Sequence, residues 1–98
     1  MRKYIRNKEI EKKIVDYLSQ KGVKKIEIFG SYARGENYND IDVIVEFEKW
    51  PDLFEFIKYK LDLEQITGKQ IDLLAGRESI SNYILPYISK DIKELYER

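Results

Sequence analysis

Apolar positions recur at helical spacing between residues 7 and 20, where Ile10, Ile14, Tyr17 and Leu18 share a face, and Gly22 supplies a plausible stop. The period then changes. Ile26-Glu27-Ile28-Phe29 and Ile41-Asp42-Val43-Ile44-Val45-Glu46-Phe47 have β-branched and aromatic content, which predicts strands over residues 25–29 and from Ile41 to about Phe47. Trp50-Pro51-Asp52 punctuates the chain, and Asp52 with Glu55 reads as a capping box ahead of an apolar stripe of Leu53, Phe54, Ile57 and Leu61 that ends at Gly68. A third strand is predicted over residues 70–74. Beyond Gly76, the residues Ile80, Tyr83, Ile84, Tyr87 and Ile88 suggest a helix that Pro86 must kink, shorten or split. Residues 91–96 fit either a helix or a short final strand. Phe47, Phe54 and Phe56 read as core. The alternation of helix and strand around a small sheet indicates an α/β (α+β) fold.

The 98 residues fit one domain, 1–98. Cysteine and histidine are absent, so disulfides, zinc-finger sites and imidazole or thiol catalysis are excluded from this chain, and acid–base work falls to carboxylates, Lys and Tyr. No apolar run is long enough to span a membrane and the start lacks a signal-peptide core, so a cytoplasmic location with no membrane partner is expected. Charge is balanced, with 18 basic and 18 acidic residues, which argues against stable nucleic-acid binding. Its distribution is uneven: residues 1–25 hold nine Lys or Arg and three acids. That excess reads as a solvated basic face on the first helix, or else as a docking surface for an acidic partner or nucleotide phosphates.

The chemistry concentrates in Phe29-Gly30-Ser31-Tyr32-Ala33-Arg34-Gly35-Glu36-Asn37-Tyr38-Asn39-Asp40-Ile41-Asp42, a glycine-punctuated turn between two predicted strands. Side chains alternate along a strand, so Asp40 and Asp42 project from one side. Two carboxylates roughly 5 to 6 Å apart repel by about 3 kcal/mol at an effective dielectric near 20. A hard divalent ion such as Mg²⁺ compensates this, and it leaves coordination positions for water and substrate phosphates. A phosphate cradle lies just upstream. Gly30 and Gly35 let backbone N–H groups and the Ser31 hydroxyl approach an anion, a helical turn near Ser31 would strengthen that binding, and Arg34 either adds a fork-shaped positive charge or pairs with Glu36 or the carboxylates. Asp72 is a third acid inside an apolar strand, and it completes a triad if that strand lies beside the D-x-D strand. Tyr32 and Tyr38 are candidates to touch the base. Any one of these features alone is weak evidence; their order along the chain carries the metal-site reading.

The combination of Gly30-Ser31, Ala33-Arg34-Gly35, Asp40-Ile41-Asp42 and Asp72 resembles the nucleotidyltransferase superfamily of the DNA polymerase β type, in particular its minimal members, the MNT/MntA antitoxins. The spacer from Tyr32 to Asn39 departs from the common pattern by being shorter. The resemblance implies a mixed sheet flanked by helices. It also implies catalytic and metal-binding roles for Asp40, Asp42 and Asp72 with two Mg²⁺, and nucleotide binding by Gly30, Ser31 and Arg34 with ATP as substrate. Because no acceptor-gripping domain is present, it implies an acceptor on another protein: AMP transfer to a tyrosine of a HEPN ribonuclease toxin, making this chain the antitoxin. Two alternatives are a non-catalytic antitoxin that masks its partner, and the catalytic half of a two-chain small-molecule nucleotidyltransferase. Exposed sheet edges leave room for a homodimer or a hetero-oligomer.

Overall fold

A computed structural model describes residues 6–98. Helix α1 (Lys8–Ser19) begins where Asn7 accepts the Glu9 and Ile10 N–H groups, which satisfies two of the orphan donors of its first turn. Strand β1 (Val23–Phe29) runs directly into a four-residue helix α2 (Gly30–Ala33), and β2 (Asp40–Phe47) returns antiparallel to β1. Helix α3 (Leu53–Thr67) is capped by Asp52, which accepts the Glu55 N–H at 2.8 Å, and it stops at Gly68, whose φ of 72° is left-handed. Strand β3 (Gln70–Ala75) lies parallel to β2, as the α3 crossover requires. A 3₁₀ turn (Arg77–Ser79), the short helix α4 (Leu85–Ile88) and a second 3₁₀ turn (Ser89–Asp91) lead to β4 (Lys93–Glu97), antiparallel to β1. The sheet order is β3-β2-β1-β4, a mixed sheet as expected.

Pairing register decides which side chains share a face. Ile28 opposes Val43, Ile26 opposes Val45, and Ile41 and Val43 stand beside Ile71 and Leu73. This face receives Ile10, Ile14 and Leu18 of α1 and Tyr59 and Leu63 of α3 to make the core. Burying each of the larger aliphatics contributes about 1.5–3 kcal/mol. The opposite face carries Glu27, Phe29, Asp42, Ile44 and Asp72, because Glu27 opposes Ile44, Phe29 opposes Asp42, and Asp42 stands beside Asp72. The functional carboxylates therefore lie on the side of the sheet away from α1 and α3.

Four expectations need correction or completion. Phe54 is exposed rather than core, and Leu53, Ile57 and Leu61 lie outside with it; α3 faces the sheet through Tyr59, Leu63 and the partly buried Phe56 instead. Both stripes have helical spacing, and the inner one prevails because the Tyr59 ring meets Phe47 and Tyr17, each at a centroid distance of 6.1 Å. The helix suggested by Ile80 to Ile88 shrinks to α4, where Pro86 is tolerated in the first turn and Tyr83, Ile84 and Tyr87 are exposed. The chain end is a strand, since β1 offers an open edge that Lys93–Glu97 pairs. Strand β1 also begins two residues earlier than expected, at Val23.

Candidate active site

The alternation that aimed Asp40 and Asp42 at one point holds in β2, and parallel register sets Asp72 directly beside Asp42. Carboxylate oxygens of Asp40, Asp42 and Asp72 all lie within 4.8 Å of one another. At that separation each charged pair costs about 3 kcal/mol at an effective dielectric near 20. The response is visible in Asp42, whose carboxyl is pushed up from 3.8 to about 7, first by burial, then by the hydrogen bond it makes with Asp72 and by the negative charges of Asp40 and Asp72. Three hard oxygen donors with excess negative charge suit a divalent cation such as Mg²⁺, so the donor set fits the implied metal.

Gly30 is fitted to Asp42. Its φ of 81° is left-handed, and a Cβ there would run into Asp42 Oδ2. The glycine therefore serves two purposes: it turns the chain out of β1 into α2, and it leaves room for a carboxylate against the backbone. No side chain caps α2, whose preceding residue is Phe29, so the first N–H groups of this turn, on Ser31 and Tyr32, lack intrahelical acceptors. The Ser31 hydroxyl belongs to the same turn. A cavity of about 370 Å³ opens beside Asp42 and Asp72, lined by Phe29, Asp42, Lys60, Asp72, Leu73 and Leu74; Gly30, Ser31 and Asp40 adjoin these residues but do not line it.

The structure does not bring every expected residue to this point. Arg34 does not line the cavity: its guanidinium meets Asp91 and Glu36, each at 3.0 Å, and reaches Asp42 only as a weak positive field. Tyr32 is buried, its hydroxyl donating to Glu11 and accepting the Asn7 N–H, both at 2.8 Å, so it cannot stack on a base. Tyr38 packs edge-on against Tyr32 and carries Lys69 over its ring.

Three residues were not anticipated. Lys60 of α3 reaches the cavity while pairing with Glu64 at 2.7 Å. Glu27 is 4% exposed on the carboxylate face of β1 and receives both arms of Arg77, at 3.1 and 2.7 Å, which ties the segment after β3 across that face. The signal for Glu27 was present: like Asp72, it is a single acid inside an apolar strand, two residues from Phe29 and hence on the same face.

The mixed sheet thus gathers three carboxylates beside an uncapped Gly-Ser turn. The chain is matched over residues 11–97 by the family described as the nucleotidyltransferase domain, and it belongs to that family, among its minimal members. It is 42% identical over 92 residues to MJ1379 of Methanocaldococcus jannaschii, provisionally named a protein adenylyltransferase, covering 89% of this chain and 88% of that one. It is 36% identical over 73 residues to the protein adenylyltransferase MntA of Thermococcus cleftensis, covering 72% and 73%. Among solved structures, it resembles a toxin–antitoxin complex with AMP-PNP at a TM-score of 0.74 and 25% identity, over 90% of this chain and 73% of that one. The fold also matches, at a TM-score of 0.72 and 22% identity, a chain of a complex between the tri-AMPylated HEPN toxin of Shewanella oneidensis and an MNT antitoxin, over 93% and 72%. The chain is thus a nucleotidyltransferase.

Proposed function

We propose that the chain transfers AMP from ATP to a hydroxyl on a partner protein, a tyrosine of a HEPN-type toxin, and thereby acts as the antitoxin of the pair. The observation that carries this reading is the convergence of Asp40, Asp42 and Asp72 within 4.8 Å beside the Gly30-Ser31 turn. The names of the relatives, protein adenylyltransferases, supply the transferred group and the class of acceptor. The toxin–antitoxin complexes that share the fold suggest the partner.

In the transfer, a bond forms between the acceptor oxygen and the α-phosphorus, the bond from that phosphorus to the bridging oxygen breaks, and pyrophosphate leaves. Asp40, Asp42 and Asp72 would hold Mg²⁺, two ions by family resemblance, whose charge stabilises the attacking and leaving oxygens of such an in-line displacement. Ser31 and the free N–H groups of α2 orient the triphosphate. Asp72, an ionised carboxylate beside Asp42 and Asp40, is placed to take the acceptor's proton. Arg34 joins the phosphates by exchanging Glu36 and Asp91 for them.

The test uses the purified chain with Mg²⁺, its genomically adjacent HEPN-type protein, and ATP labelled at either the α or the γ phosphate. Protein-bound label from α-labelled ATP alone is expected. Label from γ-labelled ATP, or protection of the partner with no label at all, would overturn AMP transfer.

A further inference from the structure

The row of side chains that holds the carboxylates has two different ends. At one end Gly30 packs against Asp42, and Asp42 stands beside Asp72. Beyond Asp72 the sheet stops, because among the described residues β3 pairs with β2 alone. The Gly30-Ser31 turn that would hold the triphosphate lies at the first end. The 370 Å³ cavity lies at the second, since Asp42 and Asp72 line it while Gly30 and Ser31 do not. Its walls take Leu74 from the carboxylate face of β3, Leu73 from the other face and Lys60 from α3, so it opens around the free edge of the sheet.

Size, lining and charge say what fits there. A volume of about 370 Å³ is near the lower bound for small-molecule sites, room for one ring and its substituents rather than for a nucleoside triphosphate. Phe29, Leu73 and Leu74 are partly buried apolar walls, and the polar groups among them are Asp42, Asp72 and Lys60. Lys60 is already paired with Glu64 at 2.7 Å, and Glu64 also accepts the Ile71 N–H at 3.0 Å, which ties that pair to β3. The carboxylates therefore leave the cavity with excess negative charge, which disfavours phosphate. A neutral aromatic ring bearing one hydroxyl suits both features: the ring packs on Phe29 and the leucines, and the hydroxyl donates to a carboxylate.

We propose that this cavity is a phenol site that seats the acceptor side chain: the ring enters past the free edge of β3, lies among Phe29, Leu73 and Leu74, and directs its hydroxyl to Asp72. As the phenolic oxygen bonds to the α-phosphorus, its proton passes to Asp72 and pyrophosphate leaves. The proposal rests on the AMP-transfer reading, and a binding measurement separates the two. Para-cresol, the tyrosine side chain cut off at Cβ, would be titrated into the wild-type chain with Mg²⁺ and AMP-PNP present, while NMR follows the Leu73 and Leu74 methyl groups. Saturable shifts of both are expected, with toluene, which lacks the hydroxyl, binding several-fold more weakly. In transfer from α-labelled ATP to the adjacent HEPN-type protein, Leu74→Trp, which fills the cavity, should lower kcat/KM for the partner about 100-fold. Its KM for ATP and its thermal melt should stay near wild type. Phe29→Leu, which trims the same cavity instead, should lower kcat/KM for the partner by a smaller factor, again with the KM for ATP unchanged. Methyl groups unmoved by para-cresol would overturn the proposal and, if label still reaches the partner, leave AMP transfer standing. A Leu74→Trp chain that raises the KM for ATP and not that for the partner would also overturn it, because the cavity would then hold the nucleotide base. Saturable para-cresol shifts with no label from any ATP would overturn AMP transfer and with it the acceptor role of the cavity.

Discussion

Replacing Asp42 by Asn should make the metal-free protein more stable while abolishing transfer. In the native chain this carboxyl is raised from 3.8 to about 7, by burial first and then by Asp72 and Asp40. A group held that far from its ordinary value corresponds to about 4 kcal/mol, and since Asp42 is only half-buried, screening by water reduces this to about 2 kcal/mol. The folded state binds the proton more tightly than the unfolded state does. The penalty is therefore absent below pH 4, grows as pH rises toward 7, and is fully present above it. In EDTA at pH 8, Asp42→Asn should melt about 10 °C above wild type, and the gain should shrink toward zero near pH 4. Adding Mg²⁺ at pH 8 should raise the wild-type melting temperature more than that of the variant, since a ligand that binds only the folded state stabilises it. Differential scanning calorimetry across pH 4–8 measures each quantity. A variant no more stable than wild type at pH 8 in EDTA would refute the electrostatic account of the triad.

Other substitutions probe the parts separately. Gly30→Ala sets a Cβ against Asp42 Oδ2 at a left-handed φ, and should lower kcat about 100-fold or more and cost about 1–2 kcal/mol in urea unfolding. Arg77→Ala leaves Glu27 buried with only Lys25 nearby, at 3.6 Å, and should cost about 3 kcal/mol by the same assay. Tyr32→Phe removes the hydroxyl shared by Asn7 and Glu11, so stability should fall by about 1–2 kcal/mol while the KM for ATP is unchanged; a large rise in KM would return Tyr32 to the nucleotide.

The carboxylate pair was legible because strand alternation is local: any β2 containing Asp40 and Asp42 aims both the same way. Asp72 was legible only as a candidate, since its place beside Asp42 depends on a parallel register set by the length and packing of α3. Gly30 could be read as a turn residue. Its accommodation of Asp42 could not, because that contact joins residues twelve positions apart in three dimensions. Helix α3 misled for a physical reason: it carries two apolar stripes of equal period, and the choice between them was made by the Tyr59 ring against Phe47 and Tyr17. Pairing of Arg34 with Glu36, two residues away, was legible as the alternative to a phosphate, whereas its second partner, Asp91, is brought near only by the fold.

The central claim, that Asp40, Asp42 and Asp72 act together to place AMP on a partner protein, is met most directly by intact-mass spectrometry of the HEPN-type partner. The partner would be incubated with ATP, Mg²⁺ and either the wild-type chain or Asp42→Asn, then digested to locate any adduct. The account predicts whole AMP increments on a tyrosine with wild type and none with the variant. An unmodified partner with wild type, or equal modification by Asp42→Asn, would contradict it.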